Sequence, residues 1–159
     1  MERNTGTQSR AKCGAEKKNK NIEARAKKEY LNSYLESKRD LARLEEQLQE
    51  IRSNEASPSG KHTDGQPRAH RVTDLSDYHV KLEQMEQQVE EAKLKKIQRL
   101  DRVRKDIEGM KDSREKTVLT YRYIRGYPWE KIAETMRYDI SWVFRVHERA
   151  VHKLAIKSE

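Results

Sequence analysis

The chain has 159 residues, of which 33% are apolar and 39% charged, and carries a net charge of +8. So little apolar material cannot offset the entropy of ordering one large core, which favours long exposed helices plus one small folded unit. The single cysteine, Cys13, excludes an intrachain disulfide, and no apolar run is long enough to cross a membrane. With no apolar signal stretch at the start, the expectation is a cytoplasmic protein without a membrane partner.

The charge is unevenly placed. Residues 1–29 hold nine Lys and Arg against four Asp and Glu, residues 113–159 hold ten against six, and residues 30–112 hold sixteen against seventeen. Basic ends around a near-neutral middle suit phosphate contact at the ends and protein contact between them.

Residues 1–21 are polar, Lys-rich and nearly free of large apolar side chains, so they read as a disordered basic arm. A helix is expected over 22–52. There Tyr30, Tyr34, Leu41, Leu44, Leu48 and Ile51 recur at helical spacing, with Ser37 the one polar interruption. Residues 53–73 carry Pro58, Gly60, Gly65 and Pro67 and read as a flexible loop.

A second helix is expected over 74–110. Leu75, Tyr78, Leu82, Met85, Val89 and Ala92 keep heptad spacing, after which the stripe is expected to slip by one residue to Ile97, Leu100 and Ile107. Two such seams make a coiled coil. They pair either as a hairpin within one chain or between two chains as a homodimer, and the pattern allows both.

Past Gly109, Asp112 and Glu115 have the spacing of a capping box that opens a third helix. Gly126 is placed to end it, and Pro128 to begin the next. From Trp129 to Val146 the spacing is that of two short helices crossing at a tight turn. Ile132 and Met136 give the first its buried face, and Ala133 is small enough for a close crossing. Tyr138 fills the turn, Asp139 caps the second helix, and Val143 and Val146 face back. The expected fold is therefore all-α: a long helical hairpin or coiled coil, then a small three-helix helix-turn-helix domain at 112–157. Such a domain frees the outer face of its last helix for a DNA major groove.

Successive residues turn about 100° around a helix, so Val143, Val146, His147, Ala150 and Leu154 point inward while Ser141, Arg145, Glu148 and His152 point outward. The candidate DNA-binding residues are Lys131, Arg137, Ile140, Ser141, Trp142, Arg145 and Arg149. Arg145 matches guanine O6 and N7, Ser141 suits a base or phosphate, and Ile140 and Trp142 suit thymine methyls, stacking or a protein. Lys131, Arg137 and Arg149 suit phosphates. Trp129 is expected to wedge the third helix against the motif, with Tyr121 and Tyr123 as packing residues.

No catalytic or metal site is expected, and no cofactor. His147-Glu148-Arg149-Ala150-Val151-His152 is one residue too long for a zinc H-E-x-x-H pair, and His62, His70 and His79 are scattered. There is no glycine-rich phosphate loop, so an enzyme is not expected.

From Ser113 to Leu154 the chain resembles the C-terminal, minus-35-binding domain of bacterial sigma factors. The carrying residues are Val118-Leu119-Thr120-Tyr121-Arg122-Tyr123-Ile124-Arg125-Gly126, Trp129-Glu130-Lys131-Ile132-Ala133, and Val143 to Leu154. More narrowly, Arg122 to Glu130 with Arg145-Val146-His147-Glu148-Arg149-Ala150 is similar to sigma-like phage and prophage regulators of late-gene transcription in Gram-positive bacteria. The resemblance implies a sequence-specific regulator that binds double-stranded DNA at a promoter and works with host RNA polymerase. Nothing resembles the sigma region that melts the minus-10 element, so an activator fits better than a self-sufficient sigma factor. Two departures stand out: Arg137 occupies a turn position usually held by Gly, and Ile140 and Trp142 stand where polar readers are usual. Two other readings fit a helical segment joined to such a motif. One is a small-terminase-like DNA-packaging subunit, and the other is a coiled-coil adaptor that binds no DNA.

Overall fold

A computed structural model describes residues 6–56 and 70–156, with side chains described over 19–53 and 77–156. All regular structure in these residues is helical: α1 Gly6–Ala56, α2 His70–Glu108, α3 Ser113–Leu119, α4 Trp129–Met136 and α5 Ile140–Lys153. No helix among them is long and apolar enough to cross a membrane. Two units emerge, one of residues 1–35 with 100–159, the other of residues 36–99.

The helix expected to start at Ile22 starts at Gly6. Ala11, Ala15, Glu16, Lys17 and Lys18 are strong helix formers, so the segment expected as a disordered arm is helical over 6–21 without an apolar stripe to announce it. Residues 1–5, and the 57–69 part of the expected loop, lie outside the described residues.

Within the 36–99 unit, α1 and α2 pair antiparallel in the same chain. Leu41, Leu48 and Val89 are buried there, flanked by Leu44, Leu82, Met85 and Ala92. Arg52 pairs with Glu86 at 2.7 Å, and the Tyr78 hydroxyl donates to the Ile51 carbonyl at 3.3 Å. The expected slip of the α2 stripe occurs only in part: Leu100 is half-buried and Ile107 buried as expected, but Ile97 is not. Ile97 is 51% exposed, while Lys96 is half-buried and keeps the seven-residue spacing of Leu82 and Val89. A lysine stem can cover apolar surface while its ammonium reaches water, which hid this position from an apolar count.

The other unit contains the helix-turn-helix and is larger than the expected 112–157. One of its cores joins Ala24 and Leu31 of α1 and Val103 and Ile107 of α2 to Leu119, Tyr123, Ala150, Val151 and Leu154. The Tyr30 hydroxyl donates to Asp106 at 2.7 Å in the same region. Three short helices enclose too little apolar surface to stand alone, and the long helices complete the core. A second cluster, of Val118, Ile132, Ala133, Val143 and Val146, is the helix-turn-helix wedge itself. Full burial of each large aliphatic side chain contributes about 1.5–3 kcal/mol.

Asp112 caps α3 as expected, accepting from the N–H groups of Arg114 at 2.9 Å and Glu115 at 3.4 Å. The capping box is not reciprocal, however. Glu115 is buried and instead accepts from Arg149 Nε at 2.9 Å and Lys153 Nζ at 2.8 Å. After Leu119 the chain widens into a π-helical turn at Thr120–Ile124, where the Arg125 N–H donates to the Thr120 carbonyl at 3.0 Å. Gly126 follows with φ +73°. A Cβ there would meet Leu35 Cδ2 at 3.4 Å, so glycine meets two demands at once.

Candidate nucleic-acid interface

The site is built from α4, a tight turn and α5. Pro128 fixes the start of α4, and Ile132 and Ala133 bury its inner face. The helix stops in a Schellman turn: the Tyr138 N–H donates to Ala133 O at 3.0 Å and the Arg137 N–H to Glu134 O at 3.1 Å. That geometry holds Arg137 left-handed, at φ 57° and ψ 44°, where an L side chain is strained by about 1–2 kcal/mol. Asp139 then caps α5, its Oδ1 accepting from the Ser141 N–H at 2.8 Å. That bond and one from the Ser141 hydroxyl, with a smaller contribution from the charge of Arg145, hold the Asp139 carboxyl below the usual range.

Val143, Val146, His147, Ala150 and Leu154 are all buried, as the helical projection required. His147 is the polar member. Its Nε2 lies 2.8 Å from the Tyr123 hydroxyl, Trp129 meets the ring edge-on at 4.9 Å, and Nδ1 lies 3.5 Å from Glu148 Oε1. Burial pushes its pKa down to about 4, so the ring is neutral at physiological pH. A proton on Nδ1 then faces the Glu148 carboxylate and leaves Nε2 to accept from Tyr123. Burial also raises the Tyr123 hydroxyl to about 12, which keeps it a donor.

The expected contact residues separate into groups. Arg145 and Ser141 are exposed on α5, and Arg145 makes no hydrogen bond or ion pair with the described residues. Arg137 is exposed at the turn. Trp142 is half-buried and packs on the wedge cluster, as does Ile140. Lys131 is exposed but paired with Glu134 at 2.9 Å, which raises its pKa. Arg149 does not join the outer face as a free cation, because its Nε is held by the buried Glu115 on the side facing α3.

The outer face is also narrower than the projection implied. Glu148 is held by Lys28 of α1 at 2.6 Å, and the His152 carbonyl accepts from Lys27 at 3.1 Å. Lys28 is the main reason that the Glu148 carboxyl sits low. Nothing near residue 148 in sequence foretells a partner so far along the chain. What stays open is the N-terminal half of α5 with the turn before it.

Tyr138 does not fill the turn as expected. It is 41% exposed and stacks on Trp142, with ring centroids 3.8 Å apart and planes at 19°. Their spacing of four was visible in the sequence, but the core demand for a turn residue was given to Tyr138, whereas Met136 and Ile140 meet it. Trp129 is the expected wedge, touching Phe144 at 4.7 Å and carrying Arg122 4.5 Å over its ring.

No curated protein and no solved structure matches the chain. The family model described as "Protein of unknown function (DUF1492)" matches residues 56–155, which takes in α2 and the whole helix-turn-helix. The match spans more than half of the sequence, and the chain belongs to that family.

Proposed function

We propose that this protein is a sequence-specific DNA-binding transcription regulator of the sigma-like phage and prophage type. In this reading it acts in the cytoplasm at a promoter, together with host RNA polymerase. The observation that carries the proposal is the α4–turn–α5 unit, with Arg145 and Ser141 exposed on the open half of α5 and Arg145 in no hydrogen bond or close ion pair with the described residues. A rigid wedge that leaves a charged helix face free has the form needed to seat that helix in a major groove. Arg145 then reads guanine through its fork, Ser141 bonds a base or phosphate near the helix N-terminus, and Arg137 takes a phosphate beside the turn. Within its own unit the helix-turn-helix is supported by Ala24 and Leu31 of α1 and Val103 and Ile107 of α2, which complete its core.

The test is a salt titration of duplex binding, followed by selection of a preferred duplex, footprinting and run-off transcription with purified polymerase. Binding should weaken steeply with salt, as phosphate contacts require. Arg145→Ala should cost about 1–3 kcal/mol on the preferred duplex and relax discrimination at one position. Duplex binding that ignores salt, or Arg145→Ala binding at parental affinity, would overturn the proposal.

A further inference from the structure

The aromatic pair at the turn, exposed Tyr138 and half-buried Trp142, has no part in the hydrogen-bonding scheme above. We infer that Tyr138 and Trp142 form a stacked step that reads thymine through its C5-methyl group, an inference that rests on the DNA-binding function proposed above. Trp142 packs against the buried wedge of Val118, Ile132 and Val143, and Tyr138 lies on Trp142 nearly parallel at 3.8 Å. The step is thereby fixed before any ligand arrives, and little side-chain entropy remains to be lost on contact. One face of the Tyr138 ring is spent on Trp142, and the residue is still 41% exposed.

Its surroundings select the occupant. Arg137 precedes Tyr138 in the chain, and Arg145 shares a helix face with Trp142, three residues on. Both are exposed and make no side-chain hydrogen bond or close ion pair with the described residues, although the charge of Arg145 acts on nearby Asp139. The carboxylate between them, Asp139, is already turned to the Ser141 N–H at 2.8 Å. An apolar step bordered by two exposed guanidinium groups suits a polyanion that also offers apolar patches. Duplex DNA offers one such patch in its major groove, the thymine methyl. Recognition would thus combine a guanine read by Arg145 with a neighbouring thymine read by the step, in place of the polar readers usual at the start of such a helix.

The experiment uses the full chain and a duplex selected from a random library, with single thymines replaced by uracil to delete only the methyl. Wild type should lose about fourfold in affinity at one or two replaced thymines, the worth of one buried methyl group. Tyr138→Ala should bind the thymine duplex about tenfold more weakly and become indifferent to uracil, while Tyr138→Phe should match wild type. The salt slope of Tyr138→Ala should equal that of wild type, because no phosphate contact is removed. In a Trp129→Phe background, saturation with duplex should change the emission of Trp142. Wild-type binding that is indifferent to uracil at every thymine, or equal uracil losses in wild type and Tyr138→Ala, would overturn the inference and leave the proposed function standing. So would unchanged duplex affinity in Tyr138→Ala with lost stimulation by polymerase, which would make the step a protein contact. Absence of salt-sensitive duplex binding by wild type would overturn both.

Discussion

Burial of His147 makes the helix-turn-helix unit acid-sensitive in a defined window. The ring is 3% exposed, enclosed by Tyr123 and Trp129, and its Nδ1 has no hydrogen-bond partner in range. An imidazolium there would have only Glu148, 3.5 Å away and already taken by Lys28, to offset lost hydration. The folded pKa therefore falls from 6.5 to about 4. Between these values the unfolded chain binds a proton that the folded chain refuses, so stability is full above pH 6.5 and is lost as pH falls toward about 4. At 1.36 kcal/mol per pKa unit the loss is about 3 kcal/mol, with a slope near 1.4 kcal/mol per pH unit. Asp112, Asp139 and Glu148 also have lowered pKa values, and their losses come below the ordinary carboxylate range. The upper part of the window thus belongs to the histidine. Urea unfolding at several pH values between about 7 and 5, followed by emission of Trp129 and Trp142, measures the slope. His147→Gln should abolish it, whatever its effect on stability at neutral pH. A flat wild-type profile, or the same slope in His147→Gln, would refute the argument.

Three further outcomes follow from the packing and the turn. Ala133→Leu should overpack the α4–α5 crossing and destabilise the fold by about 1–3 kcal/mol, read as a lower melting temperature; parental stability would mean that the crossing has room to spare. Arg137→Gly should relieve the left-handed strain and stabilise the protein by about 1 kcal/mol, while lowering the salt slope of DNA binding by about one. A loss of stability in that variant would show that the guanidinium supports the fold. Glu115→Gln should destabilise by about 2 kcal/mol in chemical denaturation, since the two bonds from Arg149 and Lys153 lose their carboxylate charge and a buried amide NH2 group is left to be satisfied. A change under about 0.5 kcal/mol would mean that the triad is energetically idle.

How far the sequence could be read depended on the range of the interactions involved. Helical periodicity placed the hairpin seams at Leu41, Leu44, Leu48, Leu82, Met85 and Val89, because burial of one helix face leaves a repeat of three and four. The spacing from Trp129 to Val146 gave the wedge, the Asp139 cap and the inward face of α5, all set by contacts within a few turns. The turn at residue 137, left-handed here, was legible only through the resemblance, which puts Arg137 where Gly is usual. Helix formation before Ile22 was missed because propensity without an apolar stripe resembles a polar tail.

Tertiary structure alone decided what lies across the fold. Lys28 closes on Glu148 and Lys27 on the end of α5 from more than a hundred residues away, which narrows the open surface to the first half of that helix. Glu115 forgoes its local capping role and instead accepts from Arg149, a candidate phosphate contact whose Nε is thereby held toward α3. Tyr138, locally suited to the turn, is displaced outward onto Trp142 because Met136 and Ile140 already occupy the space beneath. Local spacing fixes which face of a helix is apolar. Which polar groups remain free on the other face depends on every element that packs beside it, and that information is spread over the whole chain.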